Sequence, residues 1–249
     1  SGLRSLKSVV IPNSVKSIGN RAFYGCRSLT SIVIGNGVMN IGNDAFRGCK
    51  RLESIDIPGN VKSIGQSAFV SCYALTSVVI REGVERIEEA AFYGCDSLTS
   101  IVIPGSVKNI GNYIFTACAS LKLVVIPNSV RSIGERIFSG CWTHANFVLP
   151  DGLIGNRVNY AITPEQNVIG YSDWFNKWKN DNDLAGNSYS DQEILFLYQL
   201  QNIETFKPSW NEIIRDYAQI GLDDIIKFSG NKNVCRPSWN KDDGNGDGN

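Results

Sequence analysis

The sequence has 249 residues, 43% of them hydrophobic, and equal numbers of basic and acidic residues. This composition fits one or two globular units, and no apolar run approaches the ~18 residues that a membrane span needs. Residues 1–141 carry 15 Lys and Arg against 9 Asp and Glu, whereas residues 142–249 carry 9 against 15. The basic first part lacks the clustered charge of nucleic-acid-binding proteins, so we expect no nucleic-acid partner.

One pattern repeats every 23 residues from the start of the chain. Successive units begin at Leu6, Leu29, Leu52, Leu75, Leu98 and Leu121. Six of the seven cysteines keep the same interval: Cys26, Cys49, Cys72, Cys95, Cys118 and Cys141. A strict period places each residue type at the same point of a repeated unit, so the sequence predicts a stack of equivalent coils. The chain starts in phase with this pattern, as expected of a first coil that is itself a cap or, as we favour, of a segment cut from a longer array.

Each unit has the same order of predicted elements. Alternating apolar residues that end at Ile11 predict a short parallel strand, which Pro12 terminates. A second, shorter extended stretch ends at Gly19, and the helical spacing of the segment 22–26 predicts one turn of 3₁₀- or α-helix. Phe23 and its equivalents are expected to fill the core. The residue after each phenylalanine varies and is expected outside it: Tyr24, Arg47, Val70, Tyr93, Thr116 and Ser139.

These residues together form the string L-x-x-[VI]-x-I-P-x-x-V-x-x-I-G-x-x-A-F-x-x-C, which resembles the BspA-type leucine-rich repeat over residues 1–141. The resemblance implies a horseshoe-like leucine-rich-repeat solenoid of short parallel strands, an α/β fold. It also implies a cell-surface or secreted protein, mostly microbial, that binds host or matrix proteins and has no catalytic residues in its repeats. The departures are few: Gly35 and Arg81 replace the proline, Glu88 the glycine, and Ile114 and Ile137 the alanine.

The repeat decays after Cys141. Residues 147–150 still match a strand and its proline, but Asn156 and Ala161 stand where isoleucine and phenylalanine are required. We therefore expect a solenoid over residues 1–162, with six full repeats and a degenerate seventh. Residues 163–235 predict a helical C-terminal cap or small domain, since Trp174 and Trp178 have i, i+4 spacing and capping boxes begin at 190 and 209. Residues 236–249 predict a flexible acidic tail rich in Gly, Asp and Asn.

Few side chains in this sequence could carry chemistry. His144 is the single histidine, so a histidine-based triad is excluded, and Cys141 with His144 offers only two metal ligands. The cysteine column could form a disulfide ladder, but stacked side chains point in parallel, which favours buried free thiols. Asp243, Asn245 and Asp247 fit the opening of a calcium loop that stops before its final ligand, or else a flexible linker. We expect no enzyme activity and no cofactor, with calcium only in a longer parent protein.

Two columns of the predicted strands are the candidate binding surface, because they alternate with core positions and so should line an exposed sheet. The candidate residues are Ser8, Val10, Ser31, Val33, Ser54, Asp56, Ser77, Val79, Ser100, Val102 and Val125. Small and β-branched residues also suit any solvated parallel sheet, which is the alternative explanation. The pattern indicates a non-catalytic protein-binding or adhesion module with a protein or peptide ligand. The alternative function is a scaffold arm of a larger secreted enzyme or multi-domain surface protein, joined through the calcium-loop tail.

Overall fold

Short parallel strands stack coil upon coil into a solenoid of about seven turns, followed by one short helix. The structure, a computed structural model, describes residues 3–181. The helices predicted beyond residue 181 and the acidic tail lie outside the described residues. The predicted fold, a solenoid of short parallel strands with a helical C-terminal segment, is confirmed.

Each coil contributes a longer strand and a shorter one, and equivalent strands of successive coils pair in parallel. The longer strands are β1 (Ser8–Ile11), β3 (Ser31–Ile34), β5 (Ser54–Ile57), β7 (Ser77–Ile80), β9 (Ser100–Val102), β11 (Leu123–Val125) and β13 (Asn146–Leu149). The shorter strands are β2 (Ser17–Ile18), β4 (Asn40–Ile41), β6 (Ser63–Ile64), β8 (Arg86–Ile87), β10 (Asn109–Ile110) and β12 (Ser132–Ile133). The shorter strands form one six-stranded sheet, whereas hydrogen bonding divides the longer strands into separate stretches.

The phenylalanine column forms the centre of the core. Rings of neighbouring coils lie nearly parallel, with centroids 5.2 Å apart for Phe46 and Phe69 and 6.1 Å apart for Phe92 and Phe115. From Phe46 onward these rings are fully buried. Each ring therefore contacts the next coil, so the core is shared along the solenoid rather than divided among the repeats.

The segment before each cysteine forms tight turns instead of the predicted helical turn. Arg21 and Gly25 have φ of 56° and 68°, and left-handed residues at this interval prevent a right-handed helix. Alternate N–H groups then point along the solenoid axis, and Phe23 N donates to Ala45 O at 2.8 Å. The same bond recurs at Phe46 and Phe69. We call the turns at residues 21–27 and their equivalents in the other coils the turn edge. This turn edge adds a third hydrogen-bonded ladder between coils, beside the two sets of strands.

The six periodic cysteines are free and buried, which confirms the favoured interpretation of their column. Each thiol from Cys49 onward donates to the phenylalanine carbonyl of the preceding coil, at 3.2 Å for Cys49 and Phe23 O and 3.3 Å for Cys95 and Phe69 O. Burial, followed by the neighbouring thiol, raises the pKa of Cys49 to about 12. Burial also raises the pKa of the later thiols, so the column from Cys49 onward is protonated at neutral pH and serves as a small hydrogen-bonding part of the core.

In the seventh coil a small residue takes the phenylalanine position, and a phenylalanine on the strand fills the core instead. Ala161 occupies the phenylalanine column, and Phe147 of β13 fills the space, with its ring centroid 3.7 Å from that of Phe138. A further strand, β14 (Asn167–Gly170), pairs with β13, so the sheet extends past residue 162. Helix α1 (Tyr171–Asp181) follows at once, where the tryptophan spacing predicts a helix.

Burying a phenylalanine in this shared column should dominate coil stability. We expect Phe92→Ala to lower the free energy of unfolding by ~3–5 kcal/mol, because the lost ring leaves a cavity between two stacked neighbours. Tyr93→Ala removes an adjacent aromatic side chain that is 38% exposed, and should cost less than ~1 kcal/mol. Val70 would be a poorer control, since it is only 7% exposed, contrary to expectation. Chemical denaturation measures both changes, and equal losses would contradict the assigned core.

Two coils place a non-glycine residue at the left-handed glycine of the turn edge. Ala117 has φ of 60°, where Gly94 of the preceding coil has 66°. A Cβ added at Gly94 would lie 3.9 Å from its nearest neighbour, so only backbone conformation separates the two residue types. We expect Ala117→Gly to raise stability by up to ~1 kcal/mol and Gly94→Ala to lower it by ~1 kcal/mol or more. Opposite signs in thermal melts would show that this ladder tolerates other backbone angles.

Candidate binding surface

The two candidate columns lie on the outward face of the longer strands, and their exposure changes along the solenoid. Val10 and Val33 are register partners in β1 and β3, and are 73% and 45% exposed. Ser8 and Ser31, also register partners, are exposed beside them. These four residues are called the N-terminal sheet patch below. Ser54 and Asp56 of the next coil are half-buried.

The expectation that both columns stay exposed is wrong for the later coils. Ser77, Val79, Val102 and Val125 are buried, with Val125 fully so, and Ser100 is half-buried. In the sheet register, Asp56 of β5 lies beside Val79, and α1 contacts β13 and β14 at the far end of the sheet. Within these two columns, the exposed side chains are those of the first two coils.

A bidentate ion pair bounds the N-terminal sheet patch. Asp56 Oδ1 accepts from Arg81 Nε at 2.9 Å, and Asp56 Oδ2 accepts from Arg81 Nη2 at 2.7 Å. The two side chains are only 20% and 15% exposed, so the pair is shielded from water. Both residues depart from the repeat, since Asp56 replaces a valine and Arg81 a proline. The two residues lie 25 positions apart in the chain, and the contact that joins them appears only in the structure.

The other candidate sites do not converge in the described chain. The Cys141 thiol points into the core, with Sγ 3.1 Å from Phe115 O, whereas His144 is exposed and its Nδ1 lies 2.9 Å from Thr143 Oγ1. Within residues 3–181, no three His, Cys, Asp or Glu side chains are grouped as metal ligands would be. The calcium-loop residues Asp243, Asn245 and Asp247 lie outside the described residues.

Polar groups hold the start of α1 against the seventh coil. Asp151 accepts from the backbone N–H of Ser172 at 3.1 Å and from Asn128 Nδ2 at 2.8 Å. The Ser172 hydroxyl also donates to this carboxylate, and these hydrogen bonds lower the pKa of Asp151. Tyr171 and Phe175 are buried beside them, with ring centroids 5.3 Å apart. The helix is therefore docked on the closed end of the sheet, away from the N-terminal sheet patch. No helix in the described part of the chain has the length and hydropathy needed to cross a membrane.

The architecture and the buried columns define a solenoid of leucine-rich repeats. The profile of the BspA type leucine rich repeat region matches residues 1–122 and 85–163, with six copies. The chain belongs to this family. A comparison with curated proteins finds no match.

Solved structures of bacterial repeat proteins share the fold. A leucine rich cell surface protein from Faecalibacterium prausnitzii A2-165 is 29% identical, with a TM-score of 0.54, and the match covers 67% of this chain and 48% of that one. The leucine rich repeat protein of T. pallidum is 27% identical, with a TM-score of 0.53, and the match covers 73% of this chain and 84% of that one. The chain thus spans about half the length of the Faecalibacterium protein.

The shielded ion pair should couple far more strongly than an exposed one. In a double-mutant cycle of Asp56→Asn and Arg81→Gln, we expect a coupling free energy of ~1–3 kcal/mol in denaturation experiments. The matched control is the Arg86–Glu88 pair, which is about half exposed at 3.3 Å and should couple by ~0–1 kcal/mol. Coupling of Asp56 to Arg81 no larger than the control would mean that water screens this edge of the patch.

Proposed function

We propose that this chain is a non-catalytic protein-binding module of the adhesion class, which takes a protein or peptide ligand on the N-terminal sheet patch. The observation that carries the proposal is the pair of valines, Val10 and Val33, exposed side by side on register-paired strands. Contiguous exposed apolar surface on a folded protein is typical of interaction sites. Membership of the repeat family and the likeness to a leucine rich cell surface protein support a location at the cell surface or outside the cell.

The geometry of the patch suits a protein ligand. Its backbone is fixed by parallel strand pairing, so binding orders little of the surface and loses little conformational entropy. Ser8 and Ser31 beside the valines offer hydroxyl groups that both donate and accept hydrogen bonds. The Asp56–Arg81 pair at its border adds a polar rim to an apolar centre, the usual arrangement of protein interfaces.

The test compares a double substitution in the patch with a single surface substitution outside it. The whole chain is passed over a panel of purified extracellular-matrix proteins on a sensor surface. The double variant Val10→Glu with Val33→Glu should weaken any binding at least about tenfold, because binding would then desolvate two carboxylates. The control is Val158→Glu, since Val158 is 90% exposed on the seventh coil and away from the patch. This control should bind like the unaltered chain.

Two results count against the proposal. Equal loss of binding in Val158→Glu would show a non-specific charge effect. Unchanged binding in the double variant, with its melting temperature intact, would place the ligand elsewhere on the molecule. The scaffold-arm alternative stays a prediction, because Asp243, Asn245 and Asp247, which motivate it, lie outside the described residues.

A further inference from the structure

Basic side chains form a column on the turn edge of the first three coils. Arg4, Arg27 and Lys50 follow one another at 23-residue intervals, and Arg51 lies next to Lys50. All four are exposed. They are called the basic edge below. The turns that carry them stack directly, since Gly25 N donates to Arg47 O at 2.8 Å. The column therefore repeats its cations at the strand spacing of ~4.8 Å.

The basic edge has no internal countercharge. Among residues 3–181, none of its four cations forms an ion pair with a carboxylate. On the same edge, Arg21 and Arg47 both pair with Asp44, at 3.3 and 3.1 Å. Glu53 lies two residues after Arg51, and Asp96 ends the column two coils after Lys50. The stacking of coils thus brings onto one solvent-facing edge basic residues that the sequence spreads over three repeats.

Two exposed tyrosines flank these cations. Tyr73 is the next residue of the column and is 40% exposed, with Lys50 Nζ 5.2 Å from its ring centroid. Tyr24, on the first coil beside Arg27, is 41% exposed. A tyrosine offers an apolar ring face and a hydroxyl at its tip, which together match the apolar face and hydroxyl groups of a sugar ring. The edge therefore offers two kinds of contact, with cations for anionic groups and tyrosines for sugar rings.

We propose that the basic edge, with Tyr24 and Tyr73, is a second binding surface, and that its ligand is a sulfated glycan. Cations repeated coil after coil fit a polymer whose anions recur on successive units, and the coil spacing is close to the length of one sugar residue. Guanidinium groups donate paired hydrogen bonds to the oxygens of an oxyanion. The phosphates of a DNA strand recur every 3.4 Å along the duplex, a poorer fit to a ~4.8 Å repeat. This surface shares no residue with the N-terminal sheet patch.

The test uses the whole chain and a heparin oligosaccharide of defined length, with Kd measured by calorimetry at several salt concentrations. The triple variant Arg27→Gln, Lys50→Gln, Arg51→Gln should raise Kd at least about tenfold and flatten the dependence of log Kd on log salt, since fewer counterions are released. The matched control is Lys16→Gln, Lys62→Gln, Arg131→Gln. It removes the same formal charge from exposed residues of another column, and should change Kd less than about twofold.

Two further measurements separate glycan recognition from general attraction of polyanions. Tyr24→Ala with Tyr73→Ala should weaken heparin binding while leaving the salt dependence unchanged, because no charge is removed. Val10→Ser with Val33→Ser, which adds no charge, should bind heparin normally if the surfaces are separate. Equal loss in the two triple variants would overturn the proposal. So would unchanged binding in the tyrosine variant together with equal affinity for a DNA duplex of the same charge, as would heparin binding that depends on Val10 and Val33.

Discussion

The constant length of the coil is the constraint on which this structure depends. Because every full coil has 23 residues, each residue meets its equivalent in the next coil, and strands, turns and rings align together. The seventh coil departs from this length. Asn146 of β13 pairs with Asn167 of β14, an interval of 21 residues. In this coil the phenylalanine, Phe147, lies on a strand, and an alanine takes the phenylalanine position at the turn edge. A shortened coil thus ends the array without exposing its core.

The tight approach of coils explains residues that propensity alone does not favour. A Cβ added at Gly59 would lie 2.0 Å from Glu82 O of the next coil, so no larger residue fits at that spacing. At the turn edge, left-handed residues such as Asp44 and Tyr113 persist although they are not glycine. Their backbone N–H groups donate to the following coil, at 2.9 Å in both cases. The ladder therefore offsets a conformational cost that is repeated in every coil.

The repeat made most of the fold predictable, because a residue that recurs at a fixed interval packs in the same surroundings in every coil. Strands, terminating prolines, buried phenylalanines and free cysteines all follow from that logic. The turn edge did not, since helical spacing of apolar residues says nothing about the handedness of Arg21 or Gly25. The outward columns were predictable in direction but not in exposure. Val10 and Val125 share a column, yet one is 73% exposed and the other 0%, because burial depends on what packs over each strand.

Residues that depart from the repeat distinguish one coil from another. A valine is found in most coils of the outward column, so Val10 and Val33 differ from the later valines in exposure and not in residue type. Asp56 and Arg81 break two columns at neighbouring coils and meet in one ion pair, which fixes a border on the sheet. At the turn edge the column of Arg27 and Lys50 changes to Tyr73 and then to Asp96, so its charge changes sign within three coils. Periodic residues build a surface of uniform shape. Asp56 and Arg81 bound the exposed valines of the first coils, and the changes along the column of Arg27 give these coils a basic edge that the later coils lack. Recognition by this solenoid is therefore expected to depend on position along the array, even though the backbone of each full coil is nearly the same.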